Sequence, residues 1–146
     1  MSDVHDKATR SRNMAAVRSA DTKPEMIVRR GLHAKGLRYR LHDSRLPGRP
    51  DLVFSSSKAV VFVNGCFWHA HRGCHYFKIP QTNRLDWLRK LAGNRRRDRR
   101  NHLRLCAMGW RVIVIWECEL RGKHPGAVNH FLDVLAADIS QNRTVT

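Results

Sequence analysis

The chain has 146 residues, 42% of them hydrophobic, with a mean hydropathy of −0.52; that is one domain's worth of core, with no apolar run long enough to span a bilayer. Lys and Arg number 28 against 12 Asp and Glu, a formal charge of +16 with a pI near 11.2, so a polyanionic partner is expected, nucleic acid rather than a membrane surface, because no basic amphipathic helix with a large apolar face stands out. The opening MSDVHDKATR is polar and lacks the apolar core of a signal peptide, which points to a cytoplasmic, nucleoid-associated protein.

The first twenty residues are polar and basic around an apolar island at Met14 to Val17, which suits a short helix or arm. DTKPEMIVRRGLHAKG reads next as a capped helix. Thr22 and Glu25 have capping-box spacing, Pro24 lies in the first turn, Ile27, Val28, Gly31 and Leu32 form the apolar stripe, and Gly36 ends it. Tyr39 to Leu41 is a short strand candidate, and LPGRP is a turn. Asp51 to Phe54 and Lys58 to Asn64 read as two strands of a hairpin joined by three serines. A helical pattern runs from Thr82 or Asn83 to about Met108, with a break expected at Gly93-Asn94. Trp110 to Trp116 reads as a buried strand, and PGAVNHFLDVLAADI as a closing amphipathic helix. The order α-β-β-β-α-β-α predicts one mixed sheet with helices packed on it. The expected organisation is a single domain over residues 1–146, with an arm at 1–20 and a helix and tail at 122–146.

Four cysteines occur, and in a cytoplasmic chain crosslinks are unlikely to be their purpose. Cys66, His71 and Cys74 put two thiolates and an imidazole in one loop, and Cys118 follows a strand whose end can lie beside that loop. Together they form a closed, four-ligand zinc set, the structural kind. The plainer reading is buried cysteines beside a surface histidine, and spacing alone leaves His69 and His75 as rival ligands. Cys106 shares a helix face with Leu103 and Trp110, so a core position is expected for it.

Asp51 opens a strand after a rigid Gly48-Arg49-Pro50 turn, a place from which a carboxylate can hold Mg2+ against a phosphodiester. Alone it would read as a turn-capping aspartate. Glu25, at the border of its helix's apolar stripe, and His69, between the zinc ligands, shift the balance toward catalysis, with His69 as a candidate general base. Glu25 also has a simpler reading as the capping-box acid. Phe67 and Trp68 occupy a polar, Gly-bounded loop where large aromatics are not expected to be core. Trp87 falls about 200° around its helix from Leu85, opposite a Leu85, Leu88, Leu91 stripe. Exposed aromatics on so basic a chain suggest stacking on bases or wedging between them. The run NRRRDRRNHLR (94–104) is a solvated helix face or a phosphate-contacting surface.

LPGRPDLVF, VNGCFWH with its following His and Cys, the Trp87 helix and GWRVIVIWEC together resemble the very short patch repair endonucleases. The resemblance runs from about Asp3 to Arg121. It implies a restriction-endonuclease-like α/β fold and Mg2+-dependent nicking of double-stranded DNA beside the T of a T:G mismatch, the lesion left by 5-methylcytosine deamination. By the same resemblance Asp51 and the main-chain carbonyl of Val63 hold Mg2+, His69 activates water, and Glu25 helps orient it. Cys66, His71, Cys74 and Cys118 hold structural Zn2+. Phe67, Trp68 and Trp87 form the wedge, and Met14 belongs to an arm that clamps the opposite groove. The expected state is a monomer, with mismatch-repair proteins as further candidate partners. The resembled pattern has Thr and His where this chain has Val63 and Asn64, and its zinc loop is one residue shorter between His71 and Cys74. Two rival functions stand beside this one: a restriction-type nuclease acting on paired DNA, and a non-catalytic, zinc-stabilised DNA-binding module.

Overall fold

A computed structural model describes residues 20–141. The elements are α1 (Lys23–Ala34), β1 (Arg40–Leu41), β2 (Leu52–Phe54), β3 (Ala59–Asn64), α2 (Arg84–Ala107), β4 (Arg111–Trp116), a short 3-10 turn (Glu117–Glu119) and α3 (Pro125–Gln141). Their order is the one the sequence predicts. The four strands form one sheet in the order β1-β2-β3-β4. The first three run antiparallel as a meander, and β4 joins β3 in parallel after the crossover through α2.

The strands' period-two alternation sorts their side chains into two cores. Leu52, Phe54, Ala59, Val61 and Ile115 face Val28 and Leu32 of α1 and Leu132, Leu135 and Ile139 of α3. Val53, Val60 and Phe62 face Leu105 of α2 on the other side, with Trp110 and Val112 packed against them. Helices therefore cover both faces of the sheet. Fully burying each such aliphatic side chain contributes roughly 1.5–3 kcal/mol. Gly31 lets α1 pack tightly on Leu132 of α3, since a Cβ there would lie 2.3 Å from Leu132 Cδ1.

Four expectations need correction. No break occurs at Gly93-Asn94; α2 is continuous over 24 residues. An isolated glycine costs only about 1 kcal/mol within a helix, and Asn94 is held by a buried hydrogen bond described below. Of the expected Leu85, Leu88, Leu91 stripe of α2, Leu91 is buried, but Leu85 is 68% and Leu88 38% exposed. The helix instead turns Leu91, Asn94 and Leu105 inward, with Trp87 half-buried along the same line. Cys106 lies one position beyond Leu105, and it is exposed rather than in the core. Finally, β4 is an edge strand on which only Ile115 is fully buried. No helix among the described residues is long and apolar enough to cross a membrane.

Candidate functional site

The parallel register fixes one side of the site. Asn64 on β3 pairs with Trp116 on β4, so the residues two further along each chain, Cys66 and Cys118, leave the sheet side by side. The loop after β3 turns back at once, with the His71 amide donating to the Cys66 carbonyl at 2.9 Å. Gly73, at φ +75°, supplies the left-handed residue ahead of Cys74. The Sγ atoms of Cys66, Cys74 and Cys118 and a ring nitrogen of His71 thereby come within 4.8 Å of one another. Cys118 Sγ lies 3.5 Å from His71 Nδ1, and the His71 ring stacks on Trp116 at 4.0 Å and 3°. All four cysteines are free. Burial raises the Cys66 and Cys118 thiols, and ionised thiolates in such a place call for a cation. The cluster can hold a metal ion. The rival ligands go elsewhere: His69 pairs with Asp98, and His75 lies against Tyr76.

The sequence pattern that ends β3 also opens a cavity of about 630 Å³ lined by Glu25, His42, Asp51, Val63, Trp68 and His69 among others. Pro50 is buried and sets Asp51 at the mouth of β2. Asp51 Oδ2 accepts the Val63 amide at 2.7 Å across the hairpin. Burial pushes the Asp51 carboxyl up to about 6; the Val63 amide works against that rise, and the nearby Glu25 charge adds to it. Glu25 is only 1% exposed. Its helix start is made by Thr22, whose Oγ1 accepts the Glu25 amide at 3.4 Å. The Glu25 carboxylate does not close the reciprocal half of the capping box on Thr22. It accepts instead from the Asp21 amide at 3.1 Å, from Arg29 Nη1 at 3.3 Å and from His42 Nε2 at 2.7 Å.

His69 lines the same cavity from the loop that carries Cys66, His71 and Cys74. Its Nδ1 lies 2.5 Å from Asp98 Oδ2 on α2. A carboxylate accepts, so Nδ1 carries the proton and Nε2 is the free basic nitrogen of the neutral ring. Asp98 escapes sequence reasoning because it reads as the lone acid in an arginine run. The usable signal was its helical phase, four residues after the inward-facing Asn94. His42 escapes as well, since no spacing rule joins it to Glu25.

Phe67, Trp68 and Trp87 meet in one cluster beside the cavity. Ring centroids are 5.0 Å apart for Phe67 and Trp68, 5.2 Å for Phe67 and Trp87, and 5.9 Å for Trp68 and Trp87. Trp68 is 8% exposed, which corrects the expectation that loop aromatics here stand clear of the core. Asn94 Nδ2 donates to the Trp68 carbonyl at 2.9 Å and anchors the loop to α2. The Lys90 ammonium sits 5.6 Å from both indole centroids. Met14 lies outside the described residues.

Residues 2–75 match the family described as DNA mismatch endonuclease Vsr. The chain is also 50% identical over 123 residues to the DNA mismatch endonuclease Vsr of Escherichia coli K12, covering 84% of this chain and 78% of that one. The chain belongs to the Vsr family. Type II nicking enzymes are similar too. V.XorIIP of Xanthomonas oryzae is 53% identical over 108 residues, covering 73% of this chain and 78% of its own. V.NmeAIP of Neisseria meningitidis is 45% identical over 123 residues, covering 84% and 87%. This Vsr chain thus gathers a carboxylate pair, a carboxylate-held histidine and an aromatic cluster around one cavity, with a Cys3His cluster directly behind the loop that carries two of the three.

Proposed function

We propose that this chain is an endodeoxyribonuclease that nicks double-stranded DNA beside the T of a T:G mismatch, the product of 5-methylcytosine deamination, by Mg2+-dependent phosphodiester hydrolysis. The observation that carries the reading is the convergence of Asp51, Glu25 and His69 on one cavity next to the aromatic cluster. Family membership supports the same chemistry. The mixed sheet with helices on both faces is read as restriction-endonuclease-like, in a single domain; the DNA-clamping arm expected over residues 1–20, Met14 included, falls almost wholly outside the described residues. Cytoplasmic, nucleoid-associated action as a monomer follows from the same reading.

The donor chemistry divides two metals between two places. Hard carboxylate oxygen at Asp51, with a Val63 main-chain carbonyl beside it, suits Mg2+. Three thiolates and an imidazole at Cys66, Cys74, Cys118 and His71 suit Zn2+, and a set with four protein ligands has a structural role. When bound, Mg2+ supplies positive charge to the scissile phosphate and the departing oxygen. Asp51 fixes where that charge sits, because its own position is set by the Val63 amide. His69 Nε2 takes a proton from the attacking water, and Asp98 holds the ring in the tautomer that can do so. Glu25 helps orient the water. Phe67, Trp68 and Trp87 enter the base stack; unstacking costs a few kcal/mol and least at a mispair, so the wedge itself favours T:G.

The test is strand-resolved nicking of a T:G duplex with Mg2+ and with EDTA. One cut beside the T, lost in EDTA and in His69→Ala, is the expected result. Nicking by His69→Ala near the wild-type rate at saturating Mg2+ removes the proton-transfer role. Equal Trp87→Ala and wild-type preference for T:G over paired duplex removes Trp87 from mismatch recognition.

A further inference from the structure

His42 is tied to both acids of the cavity at once. Its main-chain amide donates to the Asp51 carbonyl at 3.1 Å. Its ring Nε2 lies 2.7 Å from Glu25 Oε2 and 4.0 Å from Asp51 Oδ1. The Glu25 carboxylate also receives the Asp21 amide and Arg29, so it acts purely as an acceptor and His42 Nε2 is the donor. The backbone of His42 takes a left-handed conformation, φ +46°, that L-residues adopt uncommonly and that His and Asn tolerate better than most. That conformation lets one residue turn its amide toward the start of β2 and its ring toward α1. Glu25 and Asp51 sit on separate elements; their side chains meet, yet two ionised carboxylates repel, and the other partners of Glu25 among the described residues, Asp21 and Arg29, pull it toward its own helix.

We propose that His42 is a positioning residue that locks the Glu25 carboxylate in register with Asp51, so that the two acids present one preformed cation site. The proposal rests on the Mg2+ reading of Asp51 above. Residues that orient metal-binding groups typically change metal affinity or activity by about 10–100-fold when lost, and that is the size expected here.

The experiment compares His42→Asn, His42→Gln, Glu25→Gln, and His42→Asn combined with Glu25→Gln. Asn keeps the left-handed preference but is too short to reach Glu25; Gln can place its amide near the ring's Nε2. Two readouts are taken: kcat and half-saturating Mg2+ for T:G nicking, and the rise in Tm on titration with Mn2+, which does not depend on nicking. His42→Asn should lose about 10–100-fold in kcat and bind Mn2+ more weakly, with DNA affinity in EDTA unchanged. His42→Gln should recover most of the loss, and the Asn substitution should add little once Glu25→Gln is present. A loss that His42→Gln does not rescue, a loss equally large in the Glu25→Gln background, or a wild-type Mn2+ response in His42→Asn overturns the proposal. Should His42→Asn fail to fold, His42→Gln decides alone: it must keep the wild-type Mn2+ response that Glu25→Gln loses. Failure of the nuclease reading shows separately, as a wild-type protein that does not nick while its Mn2+ response still tests His42.

Discussion

In the proposed site, Asp51 works against its own fold. Burial pushes its carboxyl up to about 6, against about 3.9 in an unfolded chain. A raised acid is content when protonated, so its stability contribution is present below about pH 4 and is lost as pH climbs to about 6. At neutral pH and without divalent metal, the ionised group costs up to about 3 kcal/mol. Asp51→Asn keeps an acceptor for the Val63 amide and removes the charge. It should abolish nicking yet raise the urea midpoint at pH 7 in EDTA, with the gain vanishing below about pH 4. A variant less stable than wild type at pH 7 would contradict the burial argument. Asp98 tests the histidine in the same spirit. Asp98→Asn should lower kcat by about 10–100-fold with little change in KM, because it disturbs the tautomer of His69 and not DNA contact; a change confined to KM would count against that role. At this scale the sequence exposes residues whose type is unusual for their place, such as Asp51 after Pro50. It hides His42 and Asp98, whose part depends on which chain segment folds against them.

At the scale of elements, order and strand type were legible because period-two runs and caps are local signals. The face of α2 was not. Leu85, Leu88 and Leu91 look like a core stripe, yet of the three only Leu91 is buried, and Leu85 is 68% exposed. The inward face instead carries Trp87, Asn94 and Asp98, residues chosen for the cavity. Asn94 shows why a polar residue belongs there: its amide holds the Trp68 carbonyl, a bond that a hydrophobic stripe could not make. The loop between β3 and α2 is stapled at its other end by the Cys3His cluster. Cys74→Ser should therefore lower the zinc content measured by elemental analysis and lower Tm. Cys106→Ser, at an exposed position, should leave zinc at one per chain. Zinc loss in Cys106→Ser, or full zinc in Cys74→Ser, would contradict the ligand set.

The whole molecule is organised by charge and by one cleft. Arg95, Arg96, Arg99 and Arg100 of α2 make no ion pair among the described residues. Like charges at this helical spacing cost a few tenths of a kcal/mol per pair, and a DNA partner offsets that cost. Charge explains attraction to any duplex; in the proposed function, selection of a mispair falls to the aromatic cluster and the site beside it. Composition gave the first of these at once. The second became legible only through the combination of motifs, because no single residue type marks a wedge. The decisive measurement is single-turnover nicking, at equal Mg2+, of a T:G duplex and a T:A duplex of otherwise identical sequence in one reaction. Cleavage beside the T of the T:G duplex, with the T:A duplex left intact, is the expected result. Equal cleavage of both would make this a nuclease of paired DNA, and cleavage of neither, with tight binding to both, would make it a DNA-binding module without the chemistry assigned to Asp51, Glu25 and His69.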